Sequence, residues 1–163
     1  MTVAVAWASC ATLVMTTAPV AGAAEGPPAT APAQAKSRLR AAILPLAVDG
    51  ELAEGDRDAL LGELVGGLQR GDFDVASPAD VLAADAKADG CGERRCYQRV
   101  AKATGASHVV RATVVVRDRD YDISVELVDG KSGEVVARNK QGCEICGVVD
   151  AGALMASAAA TLR

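Results

Sequence analysis

The residues best equipped for chemistry in this chain are its five cysteines. Cys91 and Cys96 stand five positions apart, Cys143-Glu144-Ile145-Cys146 is a C-x-x-C pair, and Cys10 lies alone in an apolar leader. Three chemistries use such pairs. Four thiolates can hold a structural zinc ion, and the count fits, but an oxidising compartment works against it. A C-x-x-C pair at a helix start can exchange disulfides, because the helix N-terminus lowers a thiol pKa. Glu144 opposes thiolate formation there, and thioredoxin-like folds place the motif after an early strand rather than before the last helix. Structural disulfides are the favoured reading: loss of the leader takes Cys10 with it and leaves an even set, Cys91, Cys96, Cys143 and Cys146. Three connectivities are open. Local pairing, Cys91–Cys96 and Cys143–Cys146, is favoured because each pair reads as a loop just before a helix. Cross-pairing is the alternative and would constrain the unfolded chain more strongly.

Other candidates for chemistry dissolve on inspection. His108 is the only histidine, and no Ser/His/Asp arrangement assembles around it. Asp118, Asp120 and Asp122 alternate like metal ligands, but the Gly and Glu of a calcium loop are missing. Gly130-Lys131-Ser132-Gly133 resembles a phosphate loop only superficially, since it joins two strands. No catalytic residue, metal or cofactor is expected.

The elements that carry these residues read in order. The chain opens with an apolar, uncharged leader whose core, Val3 to Met15, has the length of a signal-peptide h-region. Ala21-Gly22-Ala23 fits a cleavage site, so residues 1–23 are expected to be a signal peptide and Cys10 an ordinary part of it rather than a lipid anchor. No transmembrane span is expected in the mature chain. Residues 24–36 are rich in Pro and Ala and read as a disordered linker. The folded domain is expected over 37–163.

Within it, Arg38 to Val48 is a continuous apolar run, the pattern of a strand buried on both faces, with Pro45 at a bulge or near its end. Asp56 is expected to cap a helix over Arg57 to Arg70 whose Gly62, Gly66 and Gly67 allow close approach to the sheet. Phe73 to Ala76 is a short strand. Ser77-Pro78-Ala79-Asp80 is a strong helix start, and this helix is expected to reach about Lys87, burying Val81, Leu82 and Ala84. A third helix follows Cys96, with Tyr97, Val100, Ala101 and Thr104 on one face and Gly105 ending it.

Three alternating strands then form a meander. Val110, Ala112, Val114 and Val116 face the core from Ser107 to Arg117, and Tyr121, Ile123, Val125 and Leu127 do so from Tyr121 to Asp129. Val135 and Ala137 are expected inward on the last strand, Glu134 to Lys140. The other face carries Arg111, Thr113, Arg117, Asp122, Ser124, Glu126, Arg138 and Lys140, which make the candidate interaction surface on an exposed edge. Val148 to Leu162 is the terminal helix. The expected fold is α/β (α+β), order β-α-β-α-α-β-β-β-α, with about five strands in one mixed sheet and helices on one face.

Composition narrows function. The net charge is −4 and aromatic residues make up 2% of the chain, so the basic patches and stacking platforms of nucleic-acid binders are missing. The core must be built from small aliphatic side chains.

The order and several motifs resemble the envelope α/β domains of the TolB N-terminal, CsgG and LpoB group. The motifs are Ala42-Ile43-Leu44-Pro45-Leu46, Gly71-Asp72-Phe73-Asp74-Val75, Thr104-Gly105-Ala106-Ser107-His108-Val109-Val110 and Leu127-Val128-Asp129-Gly130-Lys131-Ser132-Gly133-Glu134-Val135-Val136. The cysteine pairs are similar to those of delta-proteobacterial and myxobacterial exported proteins that often place this domain ahead of a PEGA module; no such module is expected within these 163 residues. The resemblance implies an exported, non-catalytic module of the periplasm or cell envelope that binds partner proteins or assembles there. It carries over no catalytic residue and names no partner.

Overall fold

The computed structural model describes residues 38–162. The leader expected at 1–23, with Cys10, and the linker at 24–36 lie outside the described residues. The elements are β1 (Leu39–Ile43), β2 (Ala47–Asp49), α1 (Glu54–Arg70), β3 (Phe73–Ala76), α2 (Pro78–Ala84), a 3-10 turn (Ala86–Ala88), α3 (Arg94–Thr104), β4 (His108–Arg117), β5 (Asp120–Asp129), β6 (Val135–Cys143) and α4 (Val148–Ala160). They build one mixed sheet of six strands, in the order β3-β1-β4-β5-β6, with β2 also paired to β4.

β1 and β2 are two halves of one parallel run along β4. β1 sets Ala41 opposite His108 and Ile43 opposite Val110, and β2 sets Ala47 opposite Thr113. The apolar run breaks at Pro45, which cannot donate to a ladder. Leu44 still does, through its N–H to the Val110 carbonyl at 3.0 Å. This interruption is why six strands form where five were expected.

Helices lie on both faces of the sheet, not on one as expected. One apolar cluster joins α1 and α4 to Ala41, Ile43, Phe73, Val110, Ala112, Val114, Ile123 and Val125. A second, on the opposite face, joins Val81, Tyr97, Val100 and Ala101 to Ala42, Leu44, Ala76, Val109 and Val128. The physical reason is that Ala41 to Leu44, and Val109 with Val110 beside them on β4, are apolar and buried at consecutive positions, so both faces there must be covered. Beyond Val110 the strands alternate, and among the described residues only the α1/α4 face is covered.

The helix ends explain their lengths. α1 starts a turn earlier than Asp56, because the N–H groups of Asp56 and Arg57 both reach the Ala53 carbonyl, at 3.1 and 3.0 Å. Glu54 and Asp56 then complement the helix dipole in its first turn. α2 begins with a full capping box, Asp80 N–H donating to Ser77 Oγ and Ser77 N–H to the Asp80 carboxylate. It stops at Ala84 rather than Lys87, since Asp85 takes an extended conformation and its side chain accepts the Lys87 N–H at 3.0 Å. In so short a helix only Val81 reaches the core; Leu82, 36% exposed, and Ala84 face solvent. α3 ends where Gly105 adopts the left-handed conformation, φ 67°.

Of the four glycines in α1, Gly55, Gly62, Gly66 and Gly67, only Gly67 makes a close approach, and it does so to α4 rather than to the sheet. A Cβ there would lie 2.9 Å from Ala156 Cα and 2.8 Å from Ala159 Cβ, while Gly62 has nothing within 4 Å and Gly66 meets only the Arg70 guanidinium.

The β5–β6 hairpin is locked by Asp129. Its carboxylate accepts the N–H groups of Lys131 at 3.0 Å and Ser132 at 2.7 Å. The Ser132 N–H, above all, then the Ser132 hydroxyl and the Lys131 N–H hold the Asp129 carboxyl below its usual range, with His108 adding favourable charge. A folded-state pKa lowered in this way contributes stability that is fully present above the unfolded value and is lost as pH falls through the folded one. The stability advantage of wild type over Asp129→Ala therefore shrinks on acidification through the carboxylate range. Denaturant titrations of both proteins at a series of pH values measure it; a pH-independent difference contradicts the assignment.

Candidate functional site

The eight surface residues expected from the alternation lie on one face of the meander. The register stacks them in cross-strand rungs. Arg111 sits opposite Glu126, and Glu126 opposite Arg138; Thr113 sits opposite Ser124, and Ser124 opposite Lys140. Arg117 reaches across to Asp122, Nη1 to Oδ2 at 3.1 Å.

Glu126 departs from the solvated position expected of it, because it is only 9% exposed. Its carboxylate lies 2.7 Å from Arg138 Nη2 and 3.5 Å from Arg111 Nη1, so the two guanidinium groups close over it from neighbouring strands. The aliphatic stems of Arg side chains cover what lies beneath them. One carboxylate against two guanidiniums leaves this rung with a net positive charge. The next rung has Lys140 facing two hydroxyl residues, and Lys140 makes no ion pair among the described residues.

Val135 is not inward, as the alternation implied. Val128 pairs with Val135 and Leu127 with Ala137, which leaves Val136 as an extra residue in a bulge. The bulge moves Val135 out of phase with Ala137, and Val135 and Val136 are 43% and 56% exposed. The pleat also places Val115 among the surface residues, between Arg111 and Arg117. Simple period-two counting from Arg111 identifies it, although an apolar residue draws no notice in a polar row.

The cysteines meet in local pairs. Cys91 is bonded to Cys96 with Cα atoms 5.8 Å apart, and Cys143 to Cys146 with Cα atoms 6.0 Å apart. The surrounding elements differ from the loops expected: Cys96 lies in the first turn of α3, and Cys143 is the last residue of β6. Cys143–Cys146 ties the end of the edge strand to the approach of α4. The same corner is pinned by the Ile145 N–H to Asp120 Oδ1 at 2.9 Å and the Cys146 N–H to the Arg119 carbonyl at 3.0 Å. Ile145 holds φ at 52°, an unusual conformation for a β-branched residue. Paired Cys→Ser replacement is expected to cost about 2 kcal/mol for Cys91/Cys96 and slightly less for the shorter Cys143/Cys146 loop, on loop-closure grounds. Chemical denaturation of the oxidised wild type and each double variant measures this.

His108 and Ser107 are neighbours, with Oγ 2.9 Å from Nδ1. Ser107 Oγ also donates to the Arg40 carbonyl at 3.0 Å. A hollow of about 190 Å³ beside Leu44, Pro45, Ala88, Cys91 and Arg111 is smaller than the usual range of small-molecule sites.

This arrangement of sheet and helices has counterparts among solved structures. The chain shares its fold with the LpoB C-terminal domain. The Salmonella enterica domain superposes with a TM-score of 0.50 at 16% identity, covering 66% of this chain and 83% of that one. The Escherichia coli domain gives 0.51 at 16% identity over the same shares. Lipoprotein GNA1162 from Neisseria meningitidis gives 0.53 at 13% identity, covering 66% of this chain and 81% of that one. No family profile and no curated protein matches the sequence. At these identities the likeness is one of fold.

Proposed function

We propose that this protein is an exported, non-catalytic module of the cell envelope that binds a partner protein through the open face and edge of its sheet. The observation that carries the reading is the uncovered half-sheet. Helices pack on both faces of β1, yet the rungs running from Arg111 to Arg138 and from Thr113 to Lys140 have no element over them among the described residues. A small domain that leaves a strand edge and a patterned polar face open has the means for protein–protein recognition.

Export is supported by the apolar leader and by two disulfides, which persist in oxidising compartments. It also suits the fold shared with the LpoB domains and with a neisserial lipoprotein. No helix among the described residues is long and apolar enough to cross a membrane. The domain division is part of the same proposal: signal peptide at 1–23, linker at 24–36, folded module from 37. The motif resemblance to PEGA-associated exported proteins belongs to the same reading. Cell fractionation followed by pull-down from envelope extracts tests the reading. Recovery in the periplasmic or membrane fraction with a specific partner is expected; a cytoplasmic protein without partners contradicts it.

The second reading is a thiol–disulfide protein working through Cys143 and Cys146. It is favoured by one observation, the placement of this disulfide at an exposed corner beside a strained Ile145 that is 71% exposed. Insulin reduction by the wild type, abolished by Cys143→Ser/Cys146→Ser, would establish it, and inactivity of the wild type removes it.

A further inference from the structure

We propose that the outer edge of β6, between Ala137 and Gly142, accepts an acidic extended segment of a partner protein as an added antiparallel strand. The inference rests on the reading of the open sheet as the binding surface and specifies the chemistry of what binds.

Three observations lead to it. First, among the described residues β6 ends the sheet and pairs only with β5. Alternate backbone N–H and C=O groups along it therefore point away from the ladder, available to another strand. The usable length is set at both ends, by the bulge at Val136 and by the disulfide at Cys143.

Second, the edge is cationic. β6 contains Arg138 and Lys140 and no acidic residue. The nearby carboxylates are already paired, Glu126 with Arg138 and Arg111 and Asp122 with Arg117, and Lys140 faces only Ser124 and Thr113 along its rung. An incoming strand that set a carboxylate beside Arg138 and another beside Lys140, two residues apart, would meet both charges on one face.

Third, the same charges disfavour a second copy. Antiparallel pairing of two β6 strands over the regular segment sets Lys140 opposite itself or opposite Arg138, and like charges directly opposite destabilise a ladder. Cationic residues on an edge commonly serve to keep copies apart; here they also select an acidic occupant. The exposed Val135 and Val136 lie beyond Arg138. Read along an antiparallel partner, the matching pattern is acid-x-acid followed by apolar residues.

The test uses the full chain and a capped synthetic peptide with the core Glu-Thr-Glu-Thr-Val-Val, followed by amide chemical shifts. Saturable binding is expected, with shifts confined to β6 and the adjoining open face. Lys140→Glu, chosen because Lys140 covers no buried carboxylate, weakens it about tenfold, and a Lys-for-Glu peptide recovers the loss. N-methylation of alternate peptide residues abolishes binding in one phase and spares it in the other, because only one set of N–H groups faces the edge. Absence of saturable binding, indifference to Lys140→Glu, equal effects of both methylation phases, or a dimer joined through β6 each overturns the proposal. A partner captured on the open face that is unaffected by Lys140→Glu overturns this inference and leaves the broader reading standing. Failure to capture any partner overturns both.

Discussion

Phe73→Ala is expected to lower the unfolding free energy by about 3–5 kcal/mol. Phe73 is the only phenylalanine in the chain and is 1% exposed. It opens β3, where it lies opposite Leu39 in the parallel ladder. It belongs to the cluster of Leu60, Leu64, Leu68 and Leu162 beneath α1 and α4. The core is otherwise aliphatic, rich in Ala and Val, so no larger side chain is at hand to fill the space a ring leaves. Phe73→Leu keeps most of the volume and should cost about 1.5 kcal/mol or less. Urea titrations of the three proteins measure both values. A loss below 1 kcal/mol for Phe73→Ala would mean that β3 is not anchored through this ring.

Gly130→Val is expected to cost about 3 kcal/mol, through overpacking against backbone that cannot move freely. Gly130 follows the locked Asp129 in the hairpin that launches β6. Its N–H donates to the Ser107 carbonyl at 2.9 Å. A Cβ there would stand 2.8 Å from that carbonyl oxygen and 2.6 Å from Ala101 Cβ. The glycine is therefore a packing site where the hairpin lies against α3 and the approach to β4. The variant should also disturb β6 more than α1, since the hairpin positions the edge strand. Hydrogen exchange distinguishes the two: protection falls first along Val135–Cys143. A variant as stable as wild type, or one that loosens α1 first, contradicts this account.

The parts of the fold that were legible in the sequence are those written in local periodicity. Val110 to Val116 and Tyr121 to Leu127 alternate without interruption, so their facing follows from pleat geometry alone. Ser77 with Asp80 and the glycine at 105 mark helix ends through local chemistry, and both ends fall where those residues put them. What escaped depends on neighbours distant in sequence. Glu126 looked solvated because nothing beside it in the chain shows that Arg111 and Arg138 will close over it. Val135 looked inward because a bulge is invisible to period-two counting. The helices on the second face were implied by the apolar run of β1, but alternation in the later strands argued the other way. Both signals were correct for their own ends of the sheet. Gly62, Gly66 and Gly67 look alike in sequence, and only the path of α4 singles out Gly67.

The candidate surface was legible as a set of outward positions, since parity fixes which residues share a face. Its electrostatic character was not. The excess of cations at the β6 edge emerges only when the rungs are assembled across three strands, where Glu126 is consumed by two arginines and Lys140 is left facing hydroxyls.

The most direct measurement of the central claim is site-specific photo-crosslinking in intact cells. A photoreactive residue is placed in turn at Ser124 and Lys140 on the open face, and at Leu82 and Asp58 on exposed helix positions. The account predicts a discrete adduct with an envelope protein from the two sheet positions and none from the two helix positions. Adducts from the helices alone, or no adduct from either sheet position in a correctly exported protein, would contradict it.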